Sequence, residues 1–150
     1  MGTKYTHINL VAKDWKKLSK FYIDVFNCIP KPPERDISGD WLDRLTGINS
    51  AHIKGIHLLL PGFESGGPTL EIFQYNDTIQ DDNKSINREG FAHIAFAVDD
   101  VEECLDKLKE NGGTTVGDIV MGDIESVGKI HVVYGKDPEG NIIEIQKWEK

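Results

Sequence analysis

The chain has 150 residues, enough for one ordinary domain with a sizeable core and too few for two independent ones. A formal net charge of −8, with no cluster of lysine and arginine, argues against a surface that tracks nucleic-acid phosphates. Two cysteines, Cys28 and Cys104, are too few for a disulfide framework and lack metal-site spacing, so both are expected to be small buried residues.

Tyr5–Ala12 reads as a strand. Asp14 then caps a helix over Trp15–Phe26, with Leu18, Phe21, Tyr22 and Val25 on one face. The stretch Pro30–Asn49 holds three prolines and the run Trp41-Leu42-Asp43-Arg44-Leu45 and is read as an insertion. Ala51–Leu60 and Pro68–Tyr75 read as strands, and the glycine-rich loop between them predicts an antiparallel hairpin. Asn76–Glu89 is polar and reads as a linker. Phe91–Val98 is a strand. Asp100, with Glu103 three residues on, is a capping box for a helix over Val101–Asn111, which Gly112-Gly113 ends. Strands are expected at Val116–Met121, Lys129–Tyr134 and Asn141–Trp148. The last two are joined by Asp137-Pro138-Glu139-Gly140, a turn in which proline presets φ and glycine supplies a positive one. No apolar run is long enough to span a bilayer, and Met1–Lys13 lacks a signal-peptide core, so a soluble, cytoplasmic protein is expected.

The second half repeats the first. With His7 set on His93, Tyr5 falls on Phe91, Ile8 on Ile94 and Asp14 on Asp100. With Glu71 set on Glu144, Leu70 falls on Ile143, Ile72 on Ile145 and Tyr75 on Trp148. The interval from His7 to Glu71 is 13 residues longer than that from His93 to Glu144, which assigns the surplus to Pro30–Asn49. Each copy is a β-α-β-β-β module with one histidine in its first strand and one glutamate in its last. Module 1 spans about residues 4–76, the linker 77–89 and module 2 about 90–150, all within one domain.

Imidazole and carboxylate together suit a divalent transition metal. A lone strand histidine or glutamate is more often structural; a pair repeated at matching places in a repeated module points to His7, Glu71, His93 and Glu144 as metal ligands. Alternation along the strands puts His7 with Tyr5, Asn9 and Val11, His93 with Phe91, Ala95 and Ala97, Glu71 with Phe73, and Glu144 with Ile142 and Gln146. Both faces of these strands carry apolar residues, so both are expected to be covered. His52 and His57 lie on opposite faces of one strand, so only one of them can face the site. For these two and His131 a structural role is the expectation. Trp41 and Arg44 are candidates for the mouth of a pocket, although a solvated surface charge is the preferred reading of Arg44.

Thr6-His7-Ile8, Leu70-Glu71-Ile72-Phe73, the run from Gly90 to Asp100 and the close Asp137-Pro138-Glu139-Gly140-Asn141-Ile142-Ile143-Glu144-Ile145 resemble the vicinal oxygen chelate superfamily. This superfamily includes glyoxalase I, methylmalonyl-CoA epimerase, extradiol dioxygenases, and the fosfomycin and bleomycin resistance proteins. The resemblance implies an α+β fold of two tandem βαβββ modules, a curled mixed sheet around a metal with helices on its outer face, and a homodimer. It implies a divalent ion, Ni, Co, Zn, Mn or Fe, and a small-molecule substrate, with neither nucleic acid nor membrane as partner. A His/Glu/His/Glu set is similar to bacterial-type glyoxalase I, though Gln74-Tyr75-Asn76-Asp77 stands where that enzyme usually has an Asn-Trp-Gly-type sequence. The implied activity is a glyoxalase-like lyase, isomerase or epimerase that moves a proton next to a carbonyl by way of an enediolate. Glu144, or else Glu71, acts as the base. The alternatives are a metal-independent binding or resistance protein and a non-haem Fe(II) dioxygenase.

Overall fold

The computed structural model describes residues 2–149, which form two compact units that divide between Gln80 and Asp81, inside the expected linker. Each unit has its own mixed sheet. In the first, β1 (His7–Val11), α1 (Trp15–Phe26), β2 (Ile29–Ser38), α2 (Asp40–Thr46), β3 (His52–Leu59) and β4 (Thr69–Tyr75) follow in order, and the strands lie β1-β4-β3-β2. In the second, β5 (His93–Ala97), α3 (Val101–Glu110), β6 (Thr114–Thr115), β7 (Val120–Ile124), β8 (Gly128–Lys136) and β9 (Ile142–Trp148) lie β5-β9-β8-β6, with β7 also paired to β8. The first and last strands of each unit run parallel, and the other pairings are antiparallel. No helix among the described residues is long and apolar enough to cross a membrane.

Both long helices start where their caps dictate. The Asp14 carboxylate accepts from the Lys17 amide, and the Asp100 carboxylate from the Glu103 amide. Each occupies an amide left without a partner in the first turn. Leu18, Phe21, Tyr22 and Val25 of α1 are buried, as are Val101, Cys104, Leu105 and Leu108 of α3. The inward residues of the central strands, Ile56, Leu58, Leu70 and Ile72 in one unit and Val133, Ile143 and Ile145 in the other, complete the two cores. Burying one such side chain contributes roughly 1.5–3 kcal/mol.

Two strands were not legible as such. Pro30, Pro32 and Pro33 hid β2, which tolerates them because it is the outermost strand of its sheet, where missing amide donors cost little. Its register shifts between Lys31 and Arg35. The remainder of Pro30–Asn49 contains α2. In the second unit the strand expected at Val116–Met121 is instead two pieces, β6 and β7, on the same side of β8. Gly117 and Asp118 fall in the gap between them. Gly122 and Asp123, poor strand formers, masked the true position of β7.

The turn between β8 and β9 is built as read. Gly140 has φ +88°, and its amide donates to the Asp137 carbonyl. The buried Asp137 carboxylate accepts from the amides of Glu139 (2.9 Å) and Asn141 (3.0 Å) and from Asn141 Nδ2 (2.8 Å). This turn sets the register that brings Tyr134 opposite Glu144.

Candidate metal centre

Strand alternation decides which side chains meet. In the first sheet the pairs Asn9–Glu71 and His57–Glu71 lie directly opposite each other, and His7 stands opposite Thr69. His7, Asn9, His57, Thr69 and Glu71 therefore share one face, while Leu58 and Leu70 point away from it into the core. Glu71 is buried, its side chain 11% exposed. Its Oε1 accepts from Asn9 Nδ2 (2.8 Å) and lies 3.4 Å from His7 Nε2. Its Oε2 lies 2.7 Å from His57 Nε2, and His57 Nδ1 lies 2.7 Å from Thr69 Oγ1. The rings of His7 and His57 meet edge to face at 5.4 Å. One ligand atom from each of His7, His57 and Glu71 falls within a 4.8 Å cluster. Burial lowers the His57 pKa, the Glu71 charge opposes that, and the positive charges of Arg35 and His7 reinforce it.

The second sheet repeats the arrangement with other donors. His93 Nε2 lies 3.2 Å from Glu144 Oε1, and Gln146 Nε2 donates to Glu144 Oε2. Tyr134, directly across the ladder from Glu144, hydrogen-bonds it and packs edge to face on His93 at 5.1 Å. Burial raises the Tyr134 phenol pKa, and the neighbouring Glu144 carboxylate adds to the rise. Tyr134 thus occupies in its ladder the place that His57 holds in the first.

Each expected ligand pair is therefore assembled within its own unit, His7 with Glu71 and His93 with Glu144. The separations of 3.4 and 3.2 Å suit two ligand atoms on one ion. Donors about 2.1 Å from a metal stand roughly 3.0 Å apart at octahedral angles and 3.4 Å at tetrahedral ones. Imidazole nitrogen and carboxylate oxygen are the donors that Ni, Co, Mn, Fe and Zn accept, so the residues fit the group.

Two expectations need correction. His57 was expected to be structural, yet it reaches Glu71. The cue was available only once the hairpin register was set, because that register places it opposite Glu71. The strand faces carrying His7 and His93 are not covered: His7, Asn9 and Val11, and likewise His93, Ala95 and Ala97, are exposed, since β1 and β5 are each outermost in their sheets. The two helices of the expected modules, α1 and α3, lie opposite the glutamates; a third, α2, packs Leu42 with Ala51 and Ile53, beside Phe73 and Tyr75, on the face that bears Glu71. His52 and His131 have structural partners as expected, in Asp36 and Glu102. Arg44 is 81% exposed and lies 3.9 Å from Asp40 within its own helix, a surface pair and not a visible anchor.

The model of the Glyoxalase/Bleomycin resistance protein/Dioxygenase superfamily matches residues 4–145. A curated protein of Vibrio cholerae, described as a probable lactoylglutathione lyase, is 33% identical over 84 residues, 56% of this chain and 56% of its own length. The chain thus matches little more than half the length of that relative. Among solved structures, a glyoxalase family protein from Bacillus cereus aligns with a TM-score of 0.77 at 20% identity, covering 99% of this chain and 94% of the other. The fosfomycin resistance protein FosX of Listeria monocytogenes, solved with Mn(II) and sulfate, aligns with a TM-score of 0.54 at 20% identity, covering 99% and 95%. At these identities the likeness is one of fold.

Proposed function

From the premise that this chain belongs to the glyoxalase/bleomycin resistance protein/dioxygenase superfamily, we propose that it is a divalent-metal-dependent, glyoxalase-like lyase, isomerase or epimerase. The observation that carries the reading is the repeated pair, an imidazole 3.4 Å from a carboxylate in one unit and 3.2 Å in the other. His7, Glu71, His93 and Glu144 are the proposed ligands. When bound, the metal supplies Lewis-acid stabilisation for charge that develops on substrate oxygens. The chain's own part is to hold the donors and move a proton. Glu144 takes the proton from the carbon beside the carbonyl and returns it to a neighbouring carbon or to the other face. Glu144 is preferred to Glu71 because that is what the family resemblance implies; both carboxylates are hydrogen-bonded, Glu71 by Asn9 and His57, and Glu144 by Gln146 and Tyr134. The proposed substrate is a small α-hydroxycarbonyl, hemithioacetal or acyl-CoA, the hemithioacetal being favoured by the lactoylglutathione-lyase relatives. A homodimer is part of the proposal and is supported by the exposed Tyr5, Val11 and Phe91 in or beside the outermost strands.

Metal content and solvent-deuterium exchange test the reading together. Wild type should hold about one metal per chain, and Glu71→Ala and His93→Ala should lose it. Glu144→Gln should keep much of the metal and lose deuterium exchange into substrate. Wild type that takes up none of Ni, Co, Mn, Fe or Zn would refute the proposal in favour of a metal-independent binder. One observation favours a second reading: His7, His57 and Glu71 make a two-histidine, one-carboxylate set of the kind used by non-haem Fe(II) oxygenases. Oxygen uptake with a catechol, only after iron loading, would establish that alternative.

A further inference from the structure

The half-sites differ in what stands behind the carboxylate, and the difference at Glu71 has a direction. We infer that His57 is a positioning residue that donates its Nε2–H to Glu71 Oε2 and so presents Oε1 toward His7. The inference rests on the metal-site reading above and extends it to a residue outside the expected ligand set.

Distances separate a donor from a ligand. His7 and His93 stand 3.4 and 3.2 Å from their glutamates, the spacing of two atoms around an ion. His57 Nε2 stands at 2.7 Å from Glu71 Oε2, the length of a charge-assisted hydrogen bond. An ionised carboxylate can only accept, so the proton belongs on Nε2. Nδ1 is then an acceptor, and the Thr69 hydroxyl lies 2.7 Å from it. Thr69 is buried and sits in the same ladder, opposite Leu59 and beside His7. The chain Thr69 O–H to His57 Nδ1, His57 Nε2–H to Glu71 Oε2 thereby fixes one tautomer and one ring orientation. A nitrogen that donates its hydrogen to Glu71 has no lone pair left for a metal. Glu71 Oε1, held by Asn9 Nδ2 at 2.8 Å, is the oxygen left facing His7.

The test needs no substrate. Co²⁺ affinity is measured by competition with a chelator for wild type, His57→Ala and His57→Gln. The glutamine amide can still donate where Nε2 did. Loss of such a supporting hydrogen bond weakens metal binding about 10–100-fold, so His57→Ala should fall in that range while His57→Gln recovers most of it. X-ray absorption on the Co²⁺ form should count two imidazoles in wild type and two in His57→Gln. On metal-free protein, long-range ¹⁵N–¹H correlation spectra, with His57 assigned by its absence in His57→Gln, should show the Nε2–H tautomer. His57→Ala binding Co²⁺ as tightly as wild type would overturn the inference and leave the metal reading intact. So would three imidazoles falling to two in His57→Gln, which makes His57 a ligand, or an Nδ1–H tautomer in metal-free protein. Wild type that binds no metal at all would overturn both.

Discussion

Gly55 sits in β3 opposite Phe73, two residues before His57, and no local sequence signal marks it. A methyl group added there would fall deep inside the van der Waals radius of the Ile72 carbonyl oxygen and 2.8 Å from Phe73 Cδ1. Carbon atoms pack comfortably at about 3.5–4.0 Å, so the ring must turn and the backbone of β4 must also retreat. A carbonyl in the middle of a ladder cannot move alone. Gly55→Ala should therefore pry β3 from β4 and cost about 3 kcal/mol, combining over-packing with at least one weakened ladder hydrogen bond. The reduced freedom of the unfolded chain returns only about 0.4–1 kcal/mol, and only where the native backbone accepts alanine without strain. Urea unfolding followed by circular dichroism measures the loss. Gly122→Ala in β7 is the internal control. Its new methyl would meet Ile130 Cγ2 at 3.4 Å, an ordinary contact, so its stability should change by no more than about 0.5 kcal/mol. A loss below about 1 kcal/mol for Gly55→Ala would show that the sheet yields more easily than close-packed strands should, and the reasoning would fail.

Asp137→Ala removes the acceptor of three hydrogen bonds at a buried carboxylate and should destabilise the second unit by about 3 kcal/mol, read from the same urea titration. Cys28 and Cys104 are pushed up from 9.0 to about 12 and about 11 by burial, so neither should react with a disulfide reagent at pH 8 until the protein is unfolded, when both should. The same shifts carry a sign. A thiol whose folded pKa is raised contributes nothing adverse below 9.0, and above it the unfolded state ionises first, so stability should fall as pH rises from 9.0 towards 12; the slope should be shallower in Cys28→Ala. Arg44→Ala should leave thermal stability unchanged, because its partner Asp40 is as exposed as it is. A measurable loss would mean that Arg44 has a role beyond this pair.

The repeat was the most legible feature, because periodicity survives in one sequence without relatives. Helix starts were legible for the same reason that caps exist: Asp14 and Asp100 satisfy amides whose identity depends only on neighbouring residues. The hairpin of β3 and β4 was legible from its turn residues, but its register was not. His57 escaped for that reason, since its meaning depends on facing Glu71 across a ladder, a relation between distant positions. Tyr134 escaped in the same way, with a tyrosine in place of histidine removing even the hint of a ligand. β2 was hidden by an edge strand's tolerance of proline. The exposure of His7 and His93 could not be read either, because apolar neighbours such as Val11 and Ala97 look alike on a covered face and on an outermost strand.

The helix α2 rests on the glutamate-bearing face of the first sheet, while among the described residues the second unit has α3 as its one helix. Of its side chains only Leu42 is buried, and Trp41 and Leu45 point outward. The ladder that holds Glu71 and His57 is thus specified by one stretch of chain and its surroundings by another. Lengthening a surface connection costs little, each doubling adding only about 0.6 kcal/mol of closure entropy. Changes of residue or length between Ser38 and Asn49 would therefore alter what lies beside this face of the sheet while leaving the ladder of Glu71 and His57 as it is, with frame and trim written in separate stretches of the chain.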